Sequence, residues 1–258
     1  MAEIRMTWKV RGILKIYDSY IRRPVSTDGL RVRTDQGLSV IRKSEGILVF
    51  VENHNFTEKK AVQVVLESPV FLTETVTIPM DCDPDVQVVW LRPGNGYPAG
   101  AGSSRIYGSA APGTEVSFVF TGGQAPMKLL KDCGAGDQEV SIYHPGFRSL
   151  EGCVLELERK GKREKIRLGK CLDDTRPEAG VYRLREGSVS ADHRKTSTAI
   201  RTVYEARAGA DGMYLLLFKG MPGPEIPGRL GWEDPETGES RETDVYAREG
   251  GSVRQDLI

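Results

Sequence analysis

The chain has 258 residues, with 36 Lys and Arg against 36 Asp and Glu, so its formal net charge is zero. That length admits one large domain or two to three smaller ones. The balanced charge excludes a global electrostatic drive toward nucleic acid or an anionic membrane. The 29 Gly and 14 Pro point to many turns rather than long helices.

The first eight residues carry no apolar core of a signal peptide, and no run reaches the roughly 18 apolar residues of a membrane helix. The expectation is synthesis in the cytoplasm without a signal peptide and without membrane insertion. Four cysteines, Cys82, Cys133, Cys153 and Cys171, include no Cys-x-x-Cys pair and have no His at ligand spacing, so no zinc site is expected. They read as small buried or half-buried thiols. A Cys133–Cys153 disulfide stays open for a protein that ends outside the cell.

From the N-terminus, Trp8, Val10, Gly12, Leu14 and Ile16 alternate with Lys9, Arg11 and Lys15. Period two means a half-buried strand, because successive side chains point to opposite faces. Leu30 and Val32 alternate with arginines, and Leu38 and Val40 follow an Asp35-Gln36-Gly37 turn. Ile47–Val51 is apolar on both faces and reads as a central strand. Val62, Val64 and Leu66 form another strand, and Val76 and Ile78 alternate with Thr75 and Thr77. About seven short strands in some eighty residues is the spacing of a β-sandwich.

These segments also carry a family resemblance. A strand ends in Asp (Ile16-Tyr17-Asp18), an Arg23-Pro24-Val25 loop follows, Ser44-Glu45-Gly46 leads into Ile47–Phe50, and Ser68-Pro69 breaks the chain before a Thr/Val strand. Residues 8–80 thus resemble the carboxypeptidase-regulatory-like, or transthyretin-like, β-sandwich module. They depart from it at Pro69-Val70-Phe71, where a Gly-Tyr step is usual. The resemblance implies a non-catalytic spacer or interaction platform.

Met80–Asp85 is an acidic, Pro-containing joint and the expected domain boundary. Asp81, Asp83 and Asp85 resemble the start of a calcium loop, but Arg92 stands where the twelfth-position Glu belongs, so the solvated-linker reading is preferred. Strands are expected at Val86–Leu91, Glu115–Phe120, Met127–Lys131, Glu139–Tyr143 and Val181–Arg185. A hairpin joins Val154–Arg159 to Arg163–Leu168, and a second joins Thr198–Ala208 to Met213–Lys219 across Asp211-Gly212. Residues 221–258 read as a polar extended tail with one strand at Thr243–Arg248. The expected fold class is all-β: an Ig- or transthyretin-like β-sandwich over 1–80, then a second β-rich region over 81–220, sandwich or barrel-like, with long Gly/Pro loops.

His54, His144 and His193 read as exposed loop histidines. His144 and Cys153 form the one pair that could face each other as base and nucleophile. Arg159, Lys160, Lys162, Arg163, Lys165, Arg167 and Lys170 make a basic run broken by Glu158 and Glu164. It lacks interleaved aromatics, so nucleic acid is not expected; the run reads as a solvated or edge-guarding face. Tyr97, Tyr107 and Tyr143, with Lys160, Arg163, Lys165 and Arg167, are the candidate interface residues.

No catalytic, cofactor or metal residues are expected. The leading functional expectation is a non-enzymatic structural or interaction protein: a subunit or adaptor of a larger assembly, such as a phage-tail-like or contractile injection particle, whose partners are other protein subunits. A carbohydrate- or peptide-binding module and a Cys-dependent enzyme are the alternatives.

Overall fold

Alternation becomes strand pairing from the first described residues onward. The computed structural model describes residues 9–34, 37–57, 60–80, 84–123, 127–146, 149–219, 221 and 223–257. Apart from a three-residue 3-10 turn at Thr27–Gly29, its regular elements are all strands, and the fold class is all-β as expected. The chain divides into two compact units, Met1–Pro98 and Ala99–Ile258. No helix among the described residues is long and apolar enough to cross a membrane.

In the N-terminal unit, β1 (Val10–Asp18), β3 (Leu38–Arg42), β4 (Ile47–Glu52) and β7 (Val86–Leu91) form one sheet in the order β3-β4-β1-β7. A second sheet has the order β2-β5-β6, from β2 (Arg31–Thr34), β5 (Ala61–Glu67) and β6 (Glu74–Pro79). The inward positions of both sheets share one apolar core. Leu14, Ile16, Leu48, Phe50, Val89 and Leu91 come from the first sheet, and Val62, Val64, Leu66 and Ile78 from the second, all at most 2 % exposed. Burial of each such side chain contributes about 1.5–3 kcal/mol.

The boundary expected at residue 80 lies instead after Pro98. β7 runs parallel to β1, with Ile16 opposite Val89 and Asp18 opposite Leu91. β6 and β7, which flank the acidic stretch, therefore belong to the two sheets of one unit. Among the described residues six strands precede it, against about seven expected.

In the C-terminal unit, β10 (Lys128–Leu129), β11 (Glu139–Tyr143), β14 (Ala179–Leu184), β13 (Lys162–Arg176), β12 (Val154–Arg159), β15 (Ala199–Arg207), β9 (Glu115–Phe120), β17 (Glu225–Glu233) and β18 (Ser240–Arg248) make a nine-stranded sheet in that order. A small sheet has the order β16-β8-β19, from β16 (Met213–Phe218), β8 (Ser104–Ser109) and β19 (Ser252–Arg254).

Two expectations change here. Residues 221–258 are not an extended tail. They supply β17 and β18, nine residues each and paired along their whole length, and β19. The segment is charged because one side of each strand faces solvent, while Ile226, Leu230, Val245 and Ala247 are buried in the core.

The second expected hairpin is also not one. Its turn forms, with Gly212 at φ 71° and the Asp211 carboxylate accepting from the Met213 N–H at 3.0 Å. Beyond it, however, β15 pairs with β12 and β9, whereas β16 pairs with β8. Ala206 and Ala208 at one end and Tyr214, Leu216 and Phe218 at the other enter the same core. The chain there folds over that core instead of pairing with itself. The hairpin of β12 and β13 does form, with Glu158 opposite Arg163.

Candidate functional site: a charged face on the nine-stranded sheet

One face of the nine-stranded sheet is charged, and the pairing register shows why. Leu155 and Leu157 point into a core with Ile166 and Leu168. By the period of two, Glu156, Glu158, Arg163, Lys165 and Arg167 then point to the other face. The registers of β15, β9, β17 and β18 add Arg201, Glu205, Ser117, Arg229 and Glu242 to that face. A small apolar patch of Val119, Val154 and Val203 lies among them.

The contacts on this face cross several strands. Arg163 Nη1 donates to both Glu242 carboxylate oxygens, at 2.8 and 3.1 Å, although β13 and β18 are five strands apart in the sheet. At about 4.8 Å per strand, a flat sheet would hold them about 24 Å apart, beyond the combined reach of the two side chains. The sheet is therefore curled, with its charged face concave. Two further contacts agree: Lys165 Nζ donates to Ser117 Oγ at 2.9 Å, and Arg229 reaches Glu156 across three strands.

Glu156 is the centre of the network. It is 3 % exposed and accepts from Arg229 Nη2 on both oxygens, at 2.8 and 2.6 Å. Arg201 lies 3.7 Å away and also binds Glu158. Arg229 Nε in turn lies 3.3 Å from Glu242, which ties the centre to Arg163. Arg167 pairs with Glu205 at 2.6 Å. A buried carboxylate is tolerable only when paired and hydrogen-bonded in this way.

The candidate residues are only partly brought together. Arg163, Lys165 and Arg167 share the concave face, where Lys165 and Arg167 point away from Ile166 and Leu168 as alternation requires. β13 lies between β14 and β12, so these cations do not guard an edge. Lys160 sits at the hairpin tip with φ 51° and is exposed.

The three tyrosines stand apart. Tyr97, in the N-terminal unit, donates from its hydroxyl to Asp18 Oδ2 at 2.6 Å and packs on Phe71 and Tyr20. Burial first, then that hydrogen bond, push its pKa up. Tyr107 lies on β8 with the Arg105 guanidinium over its ring at 5.8 Å. Tyr143, on β11, points its hydroxyl at Glu178, 3.4 Å away.

Two histidines read as loop residues are buried. His144 is 1 % exposed, with Nε2 2.9 Å from the Tyr182 hydroxyl. His193 is 2 % exposed, with Nε2 3.0 Å from Glu164. His54 is exposed as expected. Loop position did not reveal this burial because both loops fold back onto the sheet: His144 N–H donates to Glu178, and His193 bridges Cys133.

Burial opposes the charge on Glu164, yet hydrogen bonds from His193 and Ser190 outweigh it and lower its pKa. Cys133 is also buried, and that burial, with the charge of Asp137 and neighbouring carboxylates, pushes its thiol up to about 11. Among the described residues, no group of His, Cys, Asp and Glu is placed to hold a metal ion; Asp81 and Asp83 lie outside them.

Glu156, Arg201, Glu205, Arg229 and Glu242 were not singled out from the sequence. Their available signal was charge at alternate positions on strands whose other positions are apolar, as in Leu155-Glu156-Leu157-Glu158. No protein-family model matches the chain, and no curated protein matches it.

Proposed function

We propose that this chain is a non-enzymatic structural or interaction protein, a subunit or adaptor of a larger protein assembly, and that the concave face of the nine-stranded sheet receives another protein subunit. The observation that carries this reading is the linked series Arg163–Glu242–Arg229–Glu156–Arg201. Its guanidinium groups are already held in fixed positions. A partner that meets pre-ordered arginines loses less side-chain entropy on binding, and arginine is enriched at such interfaces.

The face suits catalysis less well. A hydroxyl and a basic group do meet there, Ser117 with Lys165, but Lys165 is exposed to solvent, whereas a lysine acts as a base when it is buried. A sugar-binding role draws little support from Tyr97, Tyr107 and Tyr143, which stand on separate elements. The N-terminal unit fits a transthyretin-like spacer: two sheets share one core, and the strand-ending Asp18 organises the following loop. A tail-like or injection-type particle remains the assembly this reading favours.

The test is purification from the native source followed by size-exclusion with light scattering. The expected result is co-elution with a defined partner subunit, lost on Arg163→Glu with Lys165→Glu while the fold is retained. A lone monomer with no co-purifying subunit overturns the reading.

A further inference from the structure

β18 is the last strand of the nine-stranded sheet and has a hydrogen-bonded neighbour, β17, on one side only. Which of its backbone groups face outward follows from the register. Glu249 N–H donates to Pro224 O at 2.9 Å, and Asp234 N–H donates to Glu239 O at 3.0 Å. Odd-numbered residues at both ends of the hairpin thus bond inward. In an antiparallel pair bonded and non-bonded positions alternate, so Glu242, Asp244, Tyr246 and Arg248 turn their N–H and C=O groups to the open side. The Arg248 carbonyl also accepts from Gly251. Tyr246 is 58 % exposed, and a groove runs along this edge between Asp244, Tyr246 and Arg248 on one side and Ser252 and Arg254 on the other.

Charges on an open edge ordinarily keep other strands away. They do so here for most registers, since a pairing centred on Asp244 would set that carboxylate against its own copy. A twofold antiparallel pairing centred on Val245 is different. It places Glu242 opposite Arg248, Arg241 opposite Glu249, and Asp244 opposite Tyr246, each twice. Every outward-facing residue then meets an outward-facing residue, so the outward donors and acceptors match as well, the Arg248 carbonyl being already engaged by Gly251. Inside one chain, Glu242 and Arg248 are held along the concave face and the β17 side by Arg163 and Glu225. Their charge therefore stays beside the edge.

We propose that two copies of this chain associate through their β18 edges, antiparallel and centred on Val245, which makes one continuous sheet across the pair. This edge borders the concave face and shares Glu242 with it, but the pairing is read through Asp244 and Tyr246, so its test is independent of the partner sought there.

Sedimentation of the full chain across low to high micromolar concentration should show a monomer–dimer equilibrium. Tyr246→Pro removes an N–H that points away from β17 and should raise the dimer dissociation constant at least tenfold. An equal mixture of Asp244→Cys and Tyr246→Cys chains should form a disulfide-linked heterodimer under mild oxidation, well above either variant alone or the parent chain, because directly opposed residues meet disulfide geometry. If Tyr246→Pro does not fold, the mixed crosslink decides. A monomer at every concentration, or a dimer in which the mixture crosslinks no better than the single variants, overturns the proposal.

Discussion

Arg229 and Glu156 stand three strands apart in one sheet, yet a single guanidinium nitrogen of Arg229 lies within 2.8 Å of both Glu156 oxygens. That contact exists because the sheet curls, and it leaves the carboxylate almost without water. Removing one member of a buried pair strands the other. Arg229→Ala should therefore cost about 3 kcal/mol, read as a lowered urea midpoint, and more than Arg167→Ala at the better-solvated pair with Glu205. Equal losses for the two variants would show that Glu156 is not the centre of the network.

Asp18 makes a second prediction. It is 3 % exposed and accepts from the N–H groups of Tyr20 and Ile21 and from the Tyr97 hydroxyl. Tyr97→Phe should cost about 1.5 kcal/mol, as for a hydrogen bond to a charged group. Asp18→Ala should cost more, because it removes the acceptor of all three of these donors at once. A neutral Asp18→Ala would remove this account of the loop after β1.

The pair of His193 and Glu164 sets a pH dependence. Glu164 has its pKa lowered from 4.5 in the folded state. A depressed carboxylate contributes its stability above the unfolded-state value, and that contribution is lost as pH falls through the folded value. Stability should fall below pH 4.5, and Glu164→Gln should flatten that limb while lowering stability at neutral pH. Denaturation curves at several pH values read both effects, and an unchanged acid limb in the variant would contradict them.

Cys133 should be slow to react. Its thiol is pushed up to about 11 by burial and neighbouring carboxylates, and the thiolate is the reactive form. Alkylation at pH 8 followed by mass spectrometry should mark Cys153 and Cys171, both partly exposed, well before Cys133. Labelling of Cys133 at their rate would mean that its loop opens readily.

Gly108 lies where β8 passes the segment after β19. A Cβ there would stand 1.8 Å from the Gln255 carbonyl oxygen, so Gly108→Ala must displace backbone. A loss of about 2–3 kcal/mol is expected, with the circular-dichroism melt of the full chain as the measurement. A variant as stable as the parent would show that this segment is not held as described.

Local patterning made most strands legible. Val10–Asp18, Glu115–Phe120 and Glu139–Tyr143 alternate or run apolar for strand length, and each is a strand. What stayed hidden was which strands are neighbours. Asp211-Gly212 looks the same whether the chain turns back on itself or crosses to another sheet, because the turn chemistry is local and the choice lies in distant β8. The charged face was half visible, since a basic run on one hairpin is local. Its acidic counterparts come from β12 and β15, which pairing sets beside the run, and from β18, which the curl of the sheet brings across.

The position of β8 has a consequence for how the C-terminal unit comes into being. β8 is flanked by β16 and β19, and Arg105 pairs with Ser252, 147 residues further along the chain. Neither neighbour has been synthesised when β8 leaves the ribosome, so its backbone groups must wait, solvated, while the intervening strands organise. Contacts of such long range slow folding, so the small sheet should close late, and the apolar strand β16 then needs protection from other chains until it does.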